Sequence, residues 1–211
     1  MRAVPRPRMK IIALSDSVVP YVYSPSVREM FGEAGLIAAC GDLPASYLEY
    51  VVCQLNVPMV YVAGNHDPDD YRVPGGIDVD GRISRVGGLT VVGLGGSQRY
   101  KGDGRHQYTE IGMHARMIPV LPRLVLRRLR TGHGADLLVT HAPPRGIHDE
   151  SDLVHRGFLA FRRLVRLVRP RMMLHGHLHI YADLRPRDTW LDGCRVLNVY
   201  PALLVDLPEA A

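Results

Sequence analysis

The chain has 211 residues, with 26 Lys and Arg against 21 Asp and Glu and a formal net charge of +5. Its composition, 46% apolar and 22% charged, excludes disordered and collagen-like classes, and the length fits one domain over residues 1–211. Three cysteines without close spacing (Cys40, Cys53, Cys194) argue against a disulfide framework. The apolar run Ile11 to Leu14 meets Ser15-Asp16 too soon for a secretory signal, and no stretch is long enough for a membrane span, so a cytoplasmic protein is expected.

Short apolar runs at residues 9–15, 36–40 and 57–63 read as strands buried on both faces. Between them, 24–32 opens at Ser24-Pro25 and 45–56 opens after Pro44, both helix starts, which makes a βαβαβ unit. Runs at 77–86 and 89–94, split by Gly87-Gly88, predict a hairpin. Residues 95–108 are Gly-rich and polar, too long for a plain connection, and form a candidate functional loop. A helix is expected over 109–130, kinked or broken by Pro119 and Pro122. Its basic cluster, Arg123, Arg127, Arg128 and Arg130, alternates with Leu124, Val125, Leu126 and Leu129. A solvated amphipathic face explains that pattern better than a nucleic-acid surface does. A strand at 136–140, a loop at 141–155, a helix at 157–168 and a strand at 171–175 follow. The chain ends in a second expected hairpin, 194–199 with 202–207.

The chemistry lies at the strand ends. Asp16 follows the first strand, Gly41-Asp42 the second and Gly64-Asn65-His66-Asp67 the third. Thr140-His141-Ala142-Pro143-Pro144 follows the fourth and His175-Gly176-His177-Leu178-His179 the fifth. In an α/β sheet, ligands bind at the carboxyl ends of the strands. Carboxylates gathered there repel, and buried imidazoles need partners; a divalent cation resolves both, and mixed His, Asp and Asn donors suit Mn, Fe or Zn. Asp42, on the middle strand, is placed to bridge two ions, since metals about 4 Å apart are a recurrent device in phosphoryl hydrolysis.

These motifs resemble those of the calcineurin-like metallophosphoesterases: Asp-x-His, Gly-Asp, Gly-Asn-His-Asp/Glu, a lone His, and Gly-His-x-His. Four stand intact and in order here, at Asp42, Asn65-His66-Asp67, His141 and His177/His179. The resemblance implies a four-layer α/β/β/α sandwich of two mixed sheets. It also implies two divalent metal ions, Mn favoured with Fe, Zn or Ni as alternatives. One ion would take Asp16, Asp42 and His179, and the other Asp42, Asn65, His141 and His177, with a water or hydroxide between them as nucleophile. His66 would donate a proton to the leaving oxygen or stabilise the phosphoryl charge, and Asp67 would orient its neighbours. The implied activity is hydrolysis of a phosphodiester or small phosphomonoester. A nuclease and a non-catalytic metal- or nucleotide-binding module are the alternatives.

One motif departs from the pattern. Two residues after Asp16, where the family carries His, stands Val18. Three outcomes stay open: a weakened two-metal site, a single-metal enzyme, or a degenerate binding protein. Ser17 is a poor substitute ligand, and His175 precedes the ligand pair. Residues 146–155 resemble the loop that follows the lone His in some phosphodiesterase-like members, with a solvated loop and a helix-capping Asp152 as the plain alternative. Arg99 and Arg145 are candidates to grip phosphate oxygens, with surface roles as the plain alternative. His106, His114 and His133 are set aside, and Cys40 reads as packing.

Overall fold

The computed structural model describes residues 9–102, 104–180 and 186–209; the basic start of the chain lies outside these. In chain order the elements begin with β1 (Lys10–Leu14), α1 (Val27–Phe31), β2 (Leu36–Ala39), α2 (Ala45–Leu55) and β3 (Met59–Tyr61). Next come β4 (Gly76–Asp78), β5 (Ile83–Val86), β6 (Leu89–Leu94), β7 (Ser97–Gln98) and β8 (Gln107–Tyr108). Then follow α3 (Glu110–Met117), α4 (Leu121–Thr131), β9 (Leu137–Thr140), α5 (Leu159–Val168) and β10 (Met172–His175). The last three are β11 (Asp188–Leu191), β12 (Cys194–Asn198) and β13 (Ala202–Asp206).

Two mixed sheets result. The first runs β13-β1-β2-β3-β4, parallel except for β13, and the second β11-β12-β10-β9-β6-β5, parallel except at its two edges. Their facing sides form one core, with Ile11, Ala38 and Val60 of the first sheet against Val91, Leu137 and Leu174 of the second. The outer face of the first sheet is covered by α1 and α2 through Phe31, Tyr47 and Leu48. The outer face of the second is covered by α3, α4 and α5 through Met113, Leu124, Phe161 and Leu164. This is the four-layer α/β/β/α sandwich. Double coverage explains why the inner strands are buried at every position, and apolar at nearly all, and not at alternate ones. Each fully buried Leu or Ile contributes about 1.5–3 kcal/mol.

The structure corrects the two expected hairpins. The hairpin around Gly87-Gly88 forms only between β5 and β6, with both glycines at positive φ (57° and 81°) as a tight turn demands. Residues 76–78 instead join the other sheet as β4, parallel to β3. The terminal strands do not pair with each other: β12 pairs β10 and the unexpected β11, whereas β13 crosses to the first sheet and pairs β1. The break expected in the helix over 109–130 does occur, at Ile118–Val120. Pro119 falls in the break, and Pro122 sits in the first turn of α4, where its missing N–H costs nothing.

The Arg cluster of α4 is only half solvated. Arg123 and Arg130 are exposed. Arg127 reaches the His133 carbonyl and Asp136, and Arg128 reaches the carbonyls of Arg166 and Leu167 at the end of α5. Leu126 and Leu129, read from sequence as the apolar side, face outward instead. No helix among the described residues is long and apolar enough to cross a membrane.

Candidate metal centre

Parallel strands point their carboxyl ends to one edge of the sandwich. There β1, β2 and β3 deliver Asp16, Asp42 and Asn65 from the first sheet, and β9 and β10 deliver His141, His177 and His179 from the second. The turns are sharp: Asp16, Asp42 and His177 all take positive φ (62°, 57° and 69°). Asp tolerates this conformation better than most side chains, but each such residue still costs on the order of 1–3 kcal/mol and clusters of them mark functional sites. Two glycines make the approach possible. A Cβ on Gly64 would stand 2.0 Å from Asp42 Oδ1, and one on Gly176 would stand 2.3 Å from Asp16 Oδ2.

His141, fully buried, is the centre of the cluster. Its Nδ1–H donates to the Cys40 carbonyl at 2.7 Å, which turns Nε2 into the site. Around that nitrogen lie Asn65 Oδ1 at 3.1 Å, Asp42 Oδ2 at 3.3 Å and His177 Nδ1 at 3.1 Å. His177 has its own tautomer set from outside, since its Nε2–H donates to the Val154 carbonyl at 2.7 Å. One N–H on His141 Nε2 can satisfy only one of three acceptors, whereas a cation is served by all four donors. The donor set therefore fits a divalent ion.

Asp16 extends the cluster on the other side. One ligand atom each from Asp16, Asp42 and His141 lie within 4.8 Å of one another. Asp16 Oδ2 accepts the His177 N–H at 2.9 Å, and Oδ1 stands 3.9 Å from His179 Nε2. Val18 is 42% exposed and offers no donor. Ser17 Oγ donates not into the cluster but to the Tyr200 hydroxyl at 3.4 Å.

The electrostatics suit a cation. Burial, reinforced by the Asp42 charge, raises Asp16 above the usual carboxylate range despite His141 nearby. Burial works against Asp42 too, but His141 and the His66 N–H outweigh it and hold this carboxyl well below that range. Burial disfavours protonated His141, yet Asp42 and Asp16 overcome it and lift the imidazole to about 10; burial and then the His141 charge lower His177 to about 3. Without an ion, a proton on His141 occupies the middle of the donor set.

The other candidates take varied positions. Asp67 Oδ2 accepts from both Asp42 N and Gly64 N at 2.8 Å, tying the end of β2 to the end of β3. His66 anchors its backbone N–H on Asp42 Oδ1 at 2.8 Å and leaves its side chain exposed. Arg99 is exposed beside β7. Arg145 directs Nε to the Gly157 carbonyl at 2.9 Å, with Asp149 at 3.8 Å. His175 faces away from the cluster. It accepts from His148, which accepts from Thr189, and it donates to the Gly176 carbonyl; burial first of all keeps both imidazoles neutral, lowering His148 to about 4 and His175 to about 3.

Asp152 does not cap a helix. It accepts from Val154 N and His155 N inside the loop, and the first turn of α5 is capped by Glu110 of α3, which accepts from Leu159 N and Ala160 N. Sequence reasoning missed the residues that act through backbone or at long range: the carbonyls of Cys40 and Val154, Tyr100, whose hydroxyl accepts from Asn65 Nδ2 at 3.3 Å, and Tyr200. A backbone carbonyl leaves no mark in a sequence, and neither tyrosine lies in a motif.

Known proteins resemble this chain in sequence or in fold. Uncharacterized protein MJ1162 of Methanocaldococcus jannaschii is 25% identical over 186 residues, covering 81% of this chain and 80% of that protein. The crystal structure of TT1561 of Thermus thermophilus superposes with a TM-score of 0.65 at 14% identity, over 95% of this chain and 100% of that one. A second solved structure gives 0.63 at 11% identity and the same coverage; at such identities the likeness is one of fold. The model of the calcineurin-like phosphoesterase family matches residues 28–181, which takes in every motif after Asp16. With that match spanning most of the chain and the strand-end donors gathered at one edge, the chain belongs to the calcineurin-like phosphoesterase family.

Proposed function

We propose that this protein is a metal-dependent phosphohydrolase acting on a small phosphodiester or phosphomonoester, in the cytoplasm, with Mn as the favoured metal. The observation that carries the reading is the convergence of Asp42, Asn65 and His177 on His141 Nε2, each at 3.1–3.3 Å. Asp42, Asn65, His141 and His177 would hold one ion and Asp16, Asp42 and His179 the other, Asp42 being shared. Bound there, divalent ions would polarise a phosphoryl oxygen and acidify a water.

The chain's own residues supply the rest. His66, exposed at the rim with its backbone fixed by Asp42, donates a proton to the leaving oxygen. Asp67 keeps Asp42 and the Asn65 turn in register through its paired N–H bonds. Arg99, exposed after β7, remains the candidate to attract phosphate oxygens, and Arg145 would have to leave the Gly157 carbonyl to do so. A cavity of about 440 Å³ beside His179, lined by Leu178, Ile180, Pro186 and Glu150 among others, is large enough for a small organic group attached to the phosphate.

Metal analysis of the purified protein, joined to hydrolysis of chromogenic phosphodiesters and phosphomonoesters with added Mn, Ni, Zn or Mg, tests this. Metal-stimulated turnover of either ester is the expected result. Bound metal with no turnover of any ester would favour a binding module, the reading that the absence of an imidazole at Val18 motivates.

A further inference from the structure

On the Asp16 side of the site, where position 18 offers no imidazole, an aromatic ring stands against His179. Tyr200 follows β12 at the crossover to β13. Its N–H donates to Asn198 Oδ1 at 2.9 Å, and Asn198 Nδ2 donates to the Leu178 carbonyl at 2.9 Å. One fully buried amide thus ties the Tyr200 backbone to the residue between His177 and His179. The Tyr200 ring lies face to face with the His179 imidazole, centroids 4.5 Å apart and planes 12° apart. Its hydroxyl accepts from Ser17 Oγ, on the residue next to Asp16. The backbone that carries the ring is therefore fixed, with only a long contact at the hydroxyl, whereas the His179 side chain is 39% exposed. A side chain so open loses rotamer freedom when it binds an ion, and a ring stacked against its face removes part of that freedom beforehand.

We propose that Tyr200 is a positioning residue for metal binding: its ring, not its hydroxyl, holds the His179 imidazole with Nε2 toward Asp16. The inference rests on the reading that Asp16, Asp42 and His179 hold a divalent ion.

Calorimetric titration of the apo protein with Mn²⁺ tests it, in the parent and in Tyr200→Phe, Tyr200→Leu and His179→Ala. Tyr200→Phe, which keeps the ring, should bind as the parent does. Tyr200→Leu should weaken one binding step about 10–100-fold, the loss usual when a partner that orients a ligand is removed, and leave the other step alone. His179→Ala should weaken that same step. If Tyr200→Leu binds like the parent while His179→Ala loses a step, the brace is overturned and the metal reading stands. If His179→Ala binds like the parent, the metal reading of this side falls and the brace falls with it. Equal losses in Tyr200→Phe and Tyr200→Leu would assign the effect to the phenol oxygen and overturn the brace. NMR of the unmutated apo protein gives a check that needs no variant to fold. The carbon-bound protons of the His179 ring should be shifted upfield by the Tyr200 ring current, and unshifted protons would overturn the proposal.

Discussion

His177 Nδ1 lies 3.1 Å from His141 Nε2, and the far nitrogen of each ring bonds a backbone carbonyl, Val154 for His177 and Cys40 for His141. The two imidazoles come from β10 and β9 of the second sheet, while the Cys40 carbonyl belongs to the end of β2 in the first. The tautomer of His141 is thus set across the sandwich. That of His177 is set by the loop before α5, so the donor set depends on the packing of both sheets and of one loop.

The shared role of Asp42 has a direct test. Asp42→Asn keeps the shape of the side chain but removes a charge, and the hydrogen bond from His66 N can persist. Bound metal and hydrolysis should fall together, with circular dichroism near that of the parent. Full metal stoichiometry in this variant would remove Asp42 from the bridging role.

For His66, the expectation concerns rate and not metal. His66→Ala should lower kcat by roughly 10²–10⁴, the range of a positioned general acid, at unchanged metal content. The loss should shrink for esters with acidic leaving groups, because those depart without a proton. Equal losses across leaving groups would show that His66 does not act as the acid.

Position 18 offers a gain of function. Val18 is exposed, so a larger polar side chain there costs little packing. In the parent, two unequal Mn affinities are expected, the weaker at Asp16, Asp42 and His179. Val18→His should tighten the weaker step and lower the Mn concentration that gives half-maximal activity. Titration calorimetry and a Mn-dependence curve on both variants decide it; two equally tight ions in the parent would contradict the idea of a weak site.

Away from the site, Asp136 predicts an acid sensitivity. Its carboxylate accepts from Thr90 N, Arg127 and Arg171 and faces His133 at 3.1 Å. Burial opposes the charge, but the Thr90 N–H and the Arg171 bond outweigh it, so the folded-state value is lowered. A lowered carboxyl stabilises the fold at pH above its unfolded value, near 3.9, and that contribution is lost as pH falls through the folded value. Asp136→Asn should cost about 2–3 kcal/mol at neutral pH. It should also flatten the fall in melting temperature at acid pH, and an unchanged acid profile would discount this carboxylate.

Which residues stand at the strand ends was legible from the chain alone. Strands buried on both faces are apolar along nearly their whole length, so the polar residues that follow such a run mark where each strand ends. Asp16, Asp42, Asn65, His141 and the His177/His179 pair could be read from that rule together with the family's motifs. The helix signals before α1 and α2 and the turn at Gly87-Gly88 were local for the same reason: backbone sterics act over a few residues. Tertiary structure alone decided the partners. The three residues of β4 could have extended either sheet, and the joining of β13 to β1 brings together chain positions nearly 200 residues apart. The capping of α5 by Glu110, the anchoring of His177 on Val154 and the stacking of Tyr200 on His179 are of this kind. They are contacts between groups whose residue types would be ordinary anywhere, and only the packing of two sheets sets them within reach of each other.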